Sequence, residues 1–325
     1  MTMKSLASTW KIAAGWLAIA AVLFLAGCGA DSKADLATGK LNVVTSFYPI
    51  FDFTAQIGGD HVNVINLVPA GVEPHDWSPK SRDMRSIEKA DLFIYNGAGF
   101  EGWVDDFLKT MDKDADTVIV ASRGIELIHG NAEDGHEGDE GHEDENADHD
   151  HSDIDPHTWL SPKSALAMAA TIKDALVKAD PDHQSDYEAN YAELSGKLTA
   201  LDKTYSDSLA PTAQKEIVVS HQAFAYLCRD YGLKQVAIMG LSPDAEPTGQ
   251  DLVRIAKFVK EHGVRYIFFE ELVSSKLAKS LAADAGVDTM VLNPLEGLTE
   301  QQEKAGEDYI SVMERNLQNL LKALQ

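Results

Sequence analysis

Short apolar segments rich in Val, Ile and Phe recur along the chain after residue 40 and alternate with helical patterns. Apolar runs of this length are typical of strands buried on both faces of a parallel sheet. The predicted strands lie at 41–47, 62–69, 91–97, 117–122, 216–220, 234–239, 265–270 and 289–294. Between the two groups of strands, residues 182–210 are predicted to form one long polar helix. We therefore predict an α/β fold of two lobes, each a mostly parallel sheet flanked by helices, joined by one long helix.

The same pattern sets the predicted domain boundaries. An N-terminal lobe covers 41–181 and a C-terminal lobe covers 211–325. Ser78–Pro79 and Ser161–Pro162 are each typical of a helix start with proline at the first helical position, and a last helix is expected at about 301–324. The sequence has no phosphate-binding loop pattern, so a nucleotide site of that kind is not indicated.

The N-terminus has the features of an export signal. Within residues 1–27 the only charges are Lys4 and Lys11, and the apolar core is short for a membrane span. The signal ends in Leu-Ala-Gly-Cys, which resembles a bacterial lipobox, so we predict that Cys28 is lipidated and that 28–40 form a tether. An ordinary cleaved signal or a short membrane anchor is the alternative. Lipid chains would hold the protein on a membrane without spanning it, outside the cytoplasm, at the cell surface or in the periplasm.

An acidic segment with several histidines interrupts the first lobe at about 129–153. It contributes much of the net charge of −24, which argues against nucleic-acid binding. Low hydrophobicity and high charge predict disorder. The segment is either a solvated insertion without a specific role or a flexible collector that binds metal weakly. Its candidate ligands are His129, His136, His142, His149 and His151.

Three further histidines lie in short loops marked by Pro or Ser: His75 in EPHDWSP, His157 in DPHTWLSP and His221 in SHQAFAYL. They are too far apart in sequence for one helix or turn to present them together. Imidazole is a preferred zinc ligand, and three imidazoles with one carboxylate fill a tetrahedral shell. His221 directly follows a predicted strand, and Asn-Pro-Leu-Glu296 follows the last one. Ligands bind at the carboxyl ends of strands in open α/β sheets, so these loops predict a metal site there.

From residue 41 to 325 the chain resembles the zinc-binding substrate-binding lipoproteins of bacterial ABC transporters, which are metal-specific solute-binding proteins with a rigid helix between the lobes. EPHDWSP, DPHTWLSP and SHQAFAYLCRDYGL match three ligand loops of that family, and YIFFEELVSSKLAKSLAADAGVDTMVLNPLEGLT matches the last ligand region. The resemblance implies that His75, His157 and His221 bind Zn²⁺ and that Glu296 closes the site.

The fourth ligand has rivals. Some zinc-binding relatives carry aspartate where this chain has Asn293. Glu270 and Glu271 lie at a strand end and could supply the carboxylate instead, and a water molecule is the remaining alternative. Asp155, like Asp76, flanks a histidine and is expected either to fix an imidazole tautomer or to favour a helix N-terminus.

The resemblance also implies the function. It predicts a monomeric protein, not an enzyme, that captures Zn²⁺ in the cleft between the lobes and delivers it to a membrane permease powered by a separate ATPase. A manganese-binding member of the family is the first alternative. A secreted zinc hydrolase and an adhesin are further alternatives, although the sequence has no H-E-x-x-H pattern. Trp77 and Trp159, two residues after their histidines, are expected either to wall the cleft or to pack in the core.

Overall fold

Two four-stranded parallel sheets form the framework of the computed structural model, which describes residues 36–111, 115–129, 154–243 and 247–325. The strands of the first sheet are β1 (Leu41–Thr45), β2 (Val62–Asn66), β3 (Leu92–Tyr95) and β4 (Val118–Val120). A short antiparallel pair follows, β5 (Ile128–His129) with β6 (Ile154–Asp155). The strands of the second sheet are β7 (Glu216–Val219), β8 (Lys234–Ala237), β9 (Tyr266–Phe269) and β10 (Asp288–Val291).

The two sheets have the same topology. Their strand orders are β2-β1-β3-β4 and β10-β9-β7-β8, so in each lobe the first strand lies between the second and the third. In each sheet, the second strand is added on one side of the first strand and the third on the other side. The strand order therefore reverses between β1 and β3, and again between β7 and β9. Crevices for ligands open at such switch points, beyond the carboxyl ends of the strands.

The helices that flank the sheets are α1 (Tyr48–Gly58), α2 (Ser81–Lys89), α3 (Val104–Thr110), α4 (Pro162–Ala179), α5 (Gln184–Leu209), α6 (Ala225–Tyr231), α7 (Gly249–Glu261), α8 (Lys276–Ala285), α9 (Glu300–Ala305) and α10 (Tyr309–Leu324). In α5, buried apolar residues recur every three or four positions from Leu194 onward, as expected for a helix with one face against the core. This face packs on α1 and α4 of the first lobe and on α10 of the second. The predicted two-lobe α/β fold with one long helix is confirmed.

One apolar core runs through both lobes. It includes Phe53 of α1, Trp159, Tyr205 of α5 and Phe268 of β9, all at most 1% exposed. Two smaller clusters lie on the outer faces of the sheets, one under α2 and α3 and the other under α7 and α8. A core shared between lobes resists large hinge motions, because opening it would expose close-packed apolar surface.

The structure corrects some predicted boundaries. The helix expected to begin at Ser78–Pro79 begins at Ser81, where the carboxylate of Asp83 accepts a hydrogen bond from the Lys80 N–H at 2.8 Å and caps the first turn. The single helix expected at 301–324 is two helices, because Gly306 adopts a left-handed φ of 72° and ends α9.

His129, the first residue of the predicted acidic segment, lies in β5, where it pairs with Ile154. His129 is exposed. The other histidines of the segment, the signal peptide and Cys28 lie outside the described residues. No helix in the described ranges is both long and apolar enough to cross a membrane.

Candidate metal centre

Four side chains from widely separated loops converge at the cleft between the lobes. Nε2 of His157 lies 3.3 Å from Nε2 of His75 and 3.3 Å from Nε2 of His221. Oε1 of Glu296 lies 3.4 Å from Nε2 of His75, 3.4 Å from that of His157 and 3.2 Å from that of His221. His157, His221 and Glu296 are buried, and the His75 side chain is 12% exposed.

These separations fit one tetrahedral ion. Four ligands at about 2.0 Å from a zinc ion in tetrahedral geometry lie about 3.3 Å from one another. In the described part of the chain, neither carboxylate oxygen of Glu296 accepts a hydrogen bond. A buried carboxylate without hydrogen bonds is costly unless a cation compensates it, so the arrangement suits a cation at the centre of the four donor atoms.

His75 reaches the cleft on the loop that follows β2. The N–H of Gly71 in this loop donates to the Leu298 carbonyl at 2.8 Å, which ties the loop to the segment that carries Glu296. Closer to the histidine, Oε1 of Glu73 accepts a hydrogen bond from the backbone N–H of His75 at 2.9 Å. The first-lobe loop that carries His75 is thus hydrogen-bonded to the second-lobe segment that carries Glu296.

His157 follows β6 and is held by the end of β3. Nδ2 of Asn96 donates to the Pro156 carbonyl at 2.9 Å, and Oγ1 of Thr158 donates to Oδ1 of Asn96 at 3.0 Å. Oδ1 of Asp155 lies 2.8 Å from Nδ1 of His157 and also accepts the His157 backbone N–H. An Nδ1–H donated to a carboxylate leaves the Nε2 lone pair free to bind a metal. Of the two roles expected for Asp155, the structure supports fixing the tautomer of an imidazole, here that of His157. Asp76, which flanks His75, is exposed.

His221 lies just beyond β7, at the switch point of the second sheet. Its Nδ1 is 2.7 Å from Oε1 of Glu270, which follows the neighbouring strand β9. Glu270 therefore orients the imidazole from behind instead of joining the four donor atoms. Glu271 also lies apart from them: its Oε2 accepts hydrogen bonds from Nδ2 of Asn293 and from Nε2 of Gln302, both at 2.8 Å. Within the described residues, the group that could hold a metal ion contains neither of these rivals, nor Asn293.

The pKa values of these groups are displaced in opposite directions. Burial lowers the pKa of His157, but the charge and hydrogen bond of Asp155 outweigh it, and the net shift is upward. For His221, burial is again outweighed, here by Glu270, and the pKa is raised well above its ordinary value. Burial raises the pKa of Glu296, but its contacts with the three imidazoles hold it well below its usual range. Without metal, these contacts favour the ionised form of Glu296 and the protonated forms of His157 and His221.

Aromatic rings cover the first-lobe side of the centre. The Phe100 ring lies 5.0 Å from the His75 ring, and the Trp159 ring lies 5.3 Å from the His157 ring, measured between centroids. Trp159 thus serves both expected roles, since it lines the centre and belongs to the core. Trp77 instead packs on Trp103 at 6.0 Å. Phe100 was missed by the sequence analysis because its loop carries none of the histidine motifs.

The fold and this centre define a two-lobed α/β protein whose cleft contains three histidines and one glutamate arranged so that they could hold a metal ion. Residues 43–323 match the family model described as zinc-uptake complex component A, periplasmic, named ZnuA, and the chain belongs to this family. The predicted resemblance is therefore confirmed.

Two curated relatives and one solved structure are similar over most of the chain. The zinc-binding lipoprotein AdcA of Streptococcus pneumoniae (strain TIGR4) is 46% identical over 304 residues, which are 94% of this chain but only 59% of AdcA. The high-affinity zinc uptake system protein ZnuA of Bacillus subtilis is 44% identical over 312 residues, which are 94% of this chain and 95% of that protein. The Zn(II)-bound ZnuA-like domain of S. pneumoniae AdcA superposes with a TM-score of 0.74 at 44% identity, covering 88% of this chain and 99% of the domain.

Proposed function

We propose that this protein is the extracytoplasmic zinc-binding component of an ABC importer, which captures Zn²⁺ in the cleft between its lobes and delivers it to a membrane permease. The observation that carries the proposal is the five separations of 3.2–3.4 Å among the three Nε2 atoms and Oε1 of Glu296, because they match edges of a tetrahedral zinc shell. The family description and the zinc-binding names of the relatives support the same metal.

His75 and His157 of the first lobe and His221 and Glu296 of the second are the four ligands, so the bound ion connects the lobes. A shell closed by four protein ligands leaves no position for a substrate or an activated water, which a catalytic zinc requires. The protein is therefore a carrier and not an enzyme. Three nitrogen ligands also favour zinc over manganese, which prefers oxygen.

The remaining parts of the proposal concern location and partners. A lipid on Cys28 holds the protein on the outer face of a membrane, at the cell surface or in the periplasm, and the lipobox-like sequence supports this anchor. The protein acts as a monomer, and its loaded form docks on a permease driven by a separate ATPase. The description of the family as one component of a zinc-uptake complex supports such partners.

Metal content after competition tests the proposal. The whole chain, solubilised in detergent, is offered zinc and manganese together, dialysed against a weak chelator and analysed by mass spectrometry. We expect one retained zinc per chain, lost in His157→Ala but kept in the control His262→Ala, an exposed histidine of the second lobe. Retained manganese would redirect the assignment to manganese, and a chain that retains no metal would contradict the site.

A further inference from the structure

The backbone just before Glu296 is strained. Leu295 has a φ of 53°, one of two positive values at non-glycine residues within the described ranges, and its side chain is completely buried. A left-handed conformation costs an L-residue about 1–2 kcal/mol and persists only where the surroundings hold it. Because Glu296 is the next residue, the conformation of Leu295 decides where the Glu296 carboxylate lies.

Asn293 and Asn316 hold this turn. Oδ1 of Asn293 accepts the Leu295 N–H at 2.7 Å, closing the turn locally. Asn316, a residue of α10 that is 2% exposed, binds both backbone groups of Asn293. Its Oδ1 accepts the Asn293 N–H at 2.9 Å, and its Nδ2 donates to the Asn293 carbonyl at 2.7 Å. One side-chain amide therefore fixes Asn293 at two points, as a neighbouring strand would.

Two more bonds complete the turn. Nδ2 of Asn293 donates to Oε2 of Glu271 at 2.8 Å, so every polar group of Asn293 has a partner. On the first-lobe side, Nε1 of Trp159 donates to the Pro294 carbonyl at 2.8 Å. An aspartate at position 293 would lose the donor to Glu271 and place two carboxylates in contact. The asparagine is thus suited to holding the turn, and the carboxylate for the metal comes from Glu296.

We propose that Asn316, acting through Asn293, is a positioning residue that keeps Leu295 left-handed and so holds the Glu296 carboxylate in the tetrahedral shell. The inference rests on the proposed zinc site. Asn316 is not one of the four donor groups; it acts by lowering the cost of ordering the fourth ligand when the metal binds. Substituting such supporting residues typically weakens metal binding 10- to 100-fold.

The test substitutes Asn316→Leu in the whole chain and measures the zinc Kd by competition with a chelator. The control is Asn319→Leu, one turn from Asn316 along α10, which removes a hydrogen bond from Nδ2 to the Val291 carbonyl at 2.9 Å and leaves the Glu296 turn intact. We expect the Kd to rise about 10-fold or more in Asn316→Leu and less than about 3-fold in the control. Thermal unfolding without metal shows how far each variant is destabilised as a whole.

A double-mutant cycle separates positioning from a general structural effect. If Asn316 acts through the carboxylate, Asn316→Leu should change the Kd by less than about 2-fold in a Glu296→Gln background. The visible spectrum of the Co²⁺-loaded protein gives a second readout: Asn316→Leu should lose intensity from the tetrahedral bands, as Glu296→Gln does. Equal effects of Asn316→Leu in both backgrounds, or an unchanged Kd and spectrum while Glu296→Gln weakens binding, would overturn the inference. Failure of the wild type to bind zinc would instead refute the proposed function.

Discussion

At the scale of single residues, the centre depends on carboxylates that do not belong to the donor group. Asp155 and Glu270 each accept an imidazole Nδ1–H, at 2.8 and 2.7 Å, and aim the opposite nitrogen at the centre. The same contacts raise the pKa of His157 and His221, although burial alone would lower it. The two carboxylates therefore have opposing effects, since they orient the ligands and also make protons stronger competitors for the nitrogens.

Replacing Glu270 should separate these effects. A ligating imidazole must lose its Nε2 proton, so zinc affinity falls as the pH drops through the pKa of the metal-free site. Because the pKa of His221 is raised, we expect the wild-type affinity to begin falling above pH 6.5, the ordinary imidazole value. In Glu270→Gln the fall in zinc affinity should begin at a lower pH. At pH 8 the zinc Kd should be about 10-fold higher than in the wild type, because the His221 imidazole is no longer oriented by the carboxylate. Chelator competition from pH 5.5 to 8.5 measures both, and an unchanged pH profile would contradict the role given to Glu270.

At the scale of elements, the sequence predicted what depends on local composition. Continuous apolar runs located the strands of both sheets, and helical spacing located α5. The break after Gly306 was missed although a signal was present: Asp308 caps the next helix by accepting the Ser311 N–H at 2.8 Å. The contacts of Asn96 and Asn316 could not be predicted, because a lone asparagine in a sequence does not reveal a partner that only the tertiary fold brings near.

Two identical substitutions should have opposite effects on these elements. A methyl group at Gly196, inside α5, or at Gly306, after α9, would meet no atom within 4 Å, so packing changes little in either case. Gly196→Ala should stabilise the protein by about 0.5–1 kcal/mol, since alanine favours the helix. Gly306→Ala should destabilise it by about 1 kcal/mol or more, because φ there is 72°. Denaturant unfolding measures both, and changes of the same sign would refute the assignment of the helix break.

At the scale of the whole molecule, the acidic histidine segment and the centre are predicted to bind metal independently. Strand β5 lies where the predicted acidic segment begins, and the N–H of Ile128 in this strand donates to the Tyr226 hydroxyl at 3.1 Å. That hydroxyl donates to the Asp155 carbonyl at 2.7 Å, close to His157. This connection is structural and leaves the four donor atoms intact.

Deleting residues 130–152 should therefore leave one tightly bound zinc per chain and remove only weaker ions. The irregular spacing of histidines and carboxylates in the segment suits several alternative ligand sets of low affinity. Isothermal titration of the deletion variant beside the whole chain distinguishes the two classes of ion. If the tight zinc disappeared with the segment while the variant remained folded, the independence of the two regions would be disproved.

The two lobes also meet at a buried carboxylate whose ionisation affects the stability of the entire molecule. Asp52 of α1 accepts hydrogen bonds from the Tyr309 N–H at the start of α10 and from Gln56 Nε2, at 3.3 and 2.8 Å. Burial, with the nearby charge of Asp308, raises the pKa of Asp52 to about 7 from an ordinary 3.8. A carboxyl group that holds its proton more tightly when folded favours the folded state at low pH. This advantage is lost as the pH rises from about 4 to 7, because the unfolded chain ionises first.

Asp52→Asn should remove this dependence while keeping an oxygen for both hydrogen bonds. We expect the metal-free variant to match the wild type near about pH 3, below the ordinary carboxyl pKa, and to be more stable at pH 8 by on the order of 2–4 kcal/mol, since each unit of pKa shift corresponds to about 1.4 kcal/mol. Asp60→Asn, the same substitution at an exposed site in the first lobe, is the matched control. Urea unfolding across this pH range measures the difference. A variant less stable than the wild type at pH 8 would mean that Asp52 is ionised and stabilising where the lobes meet.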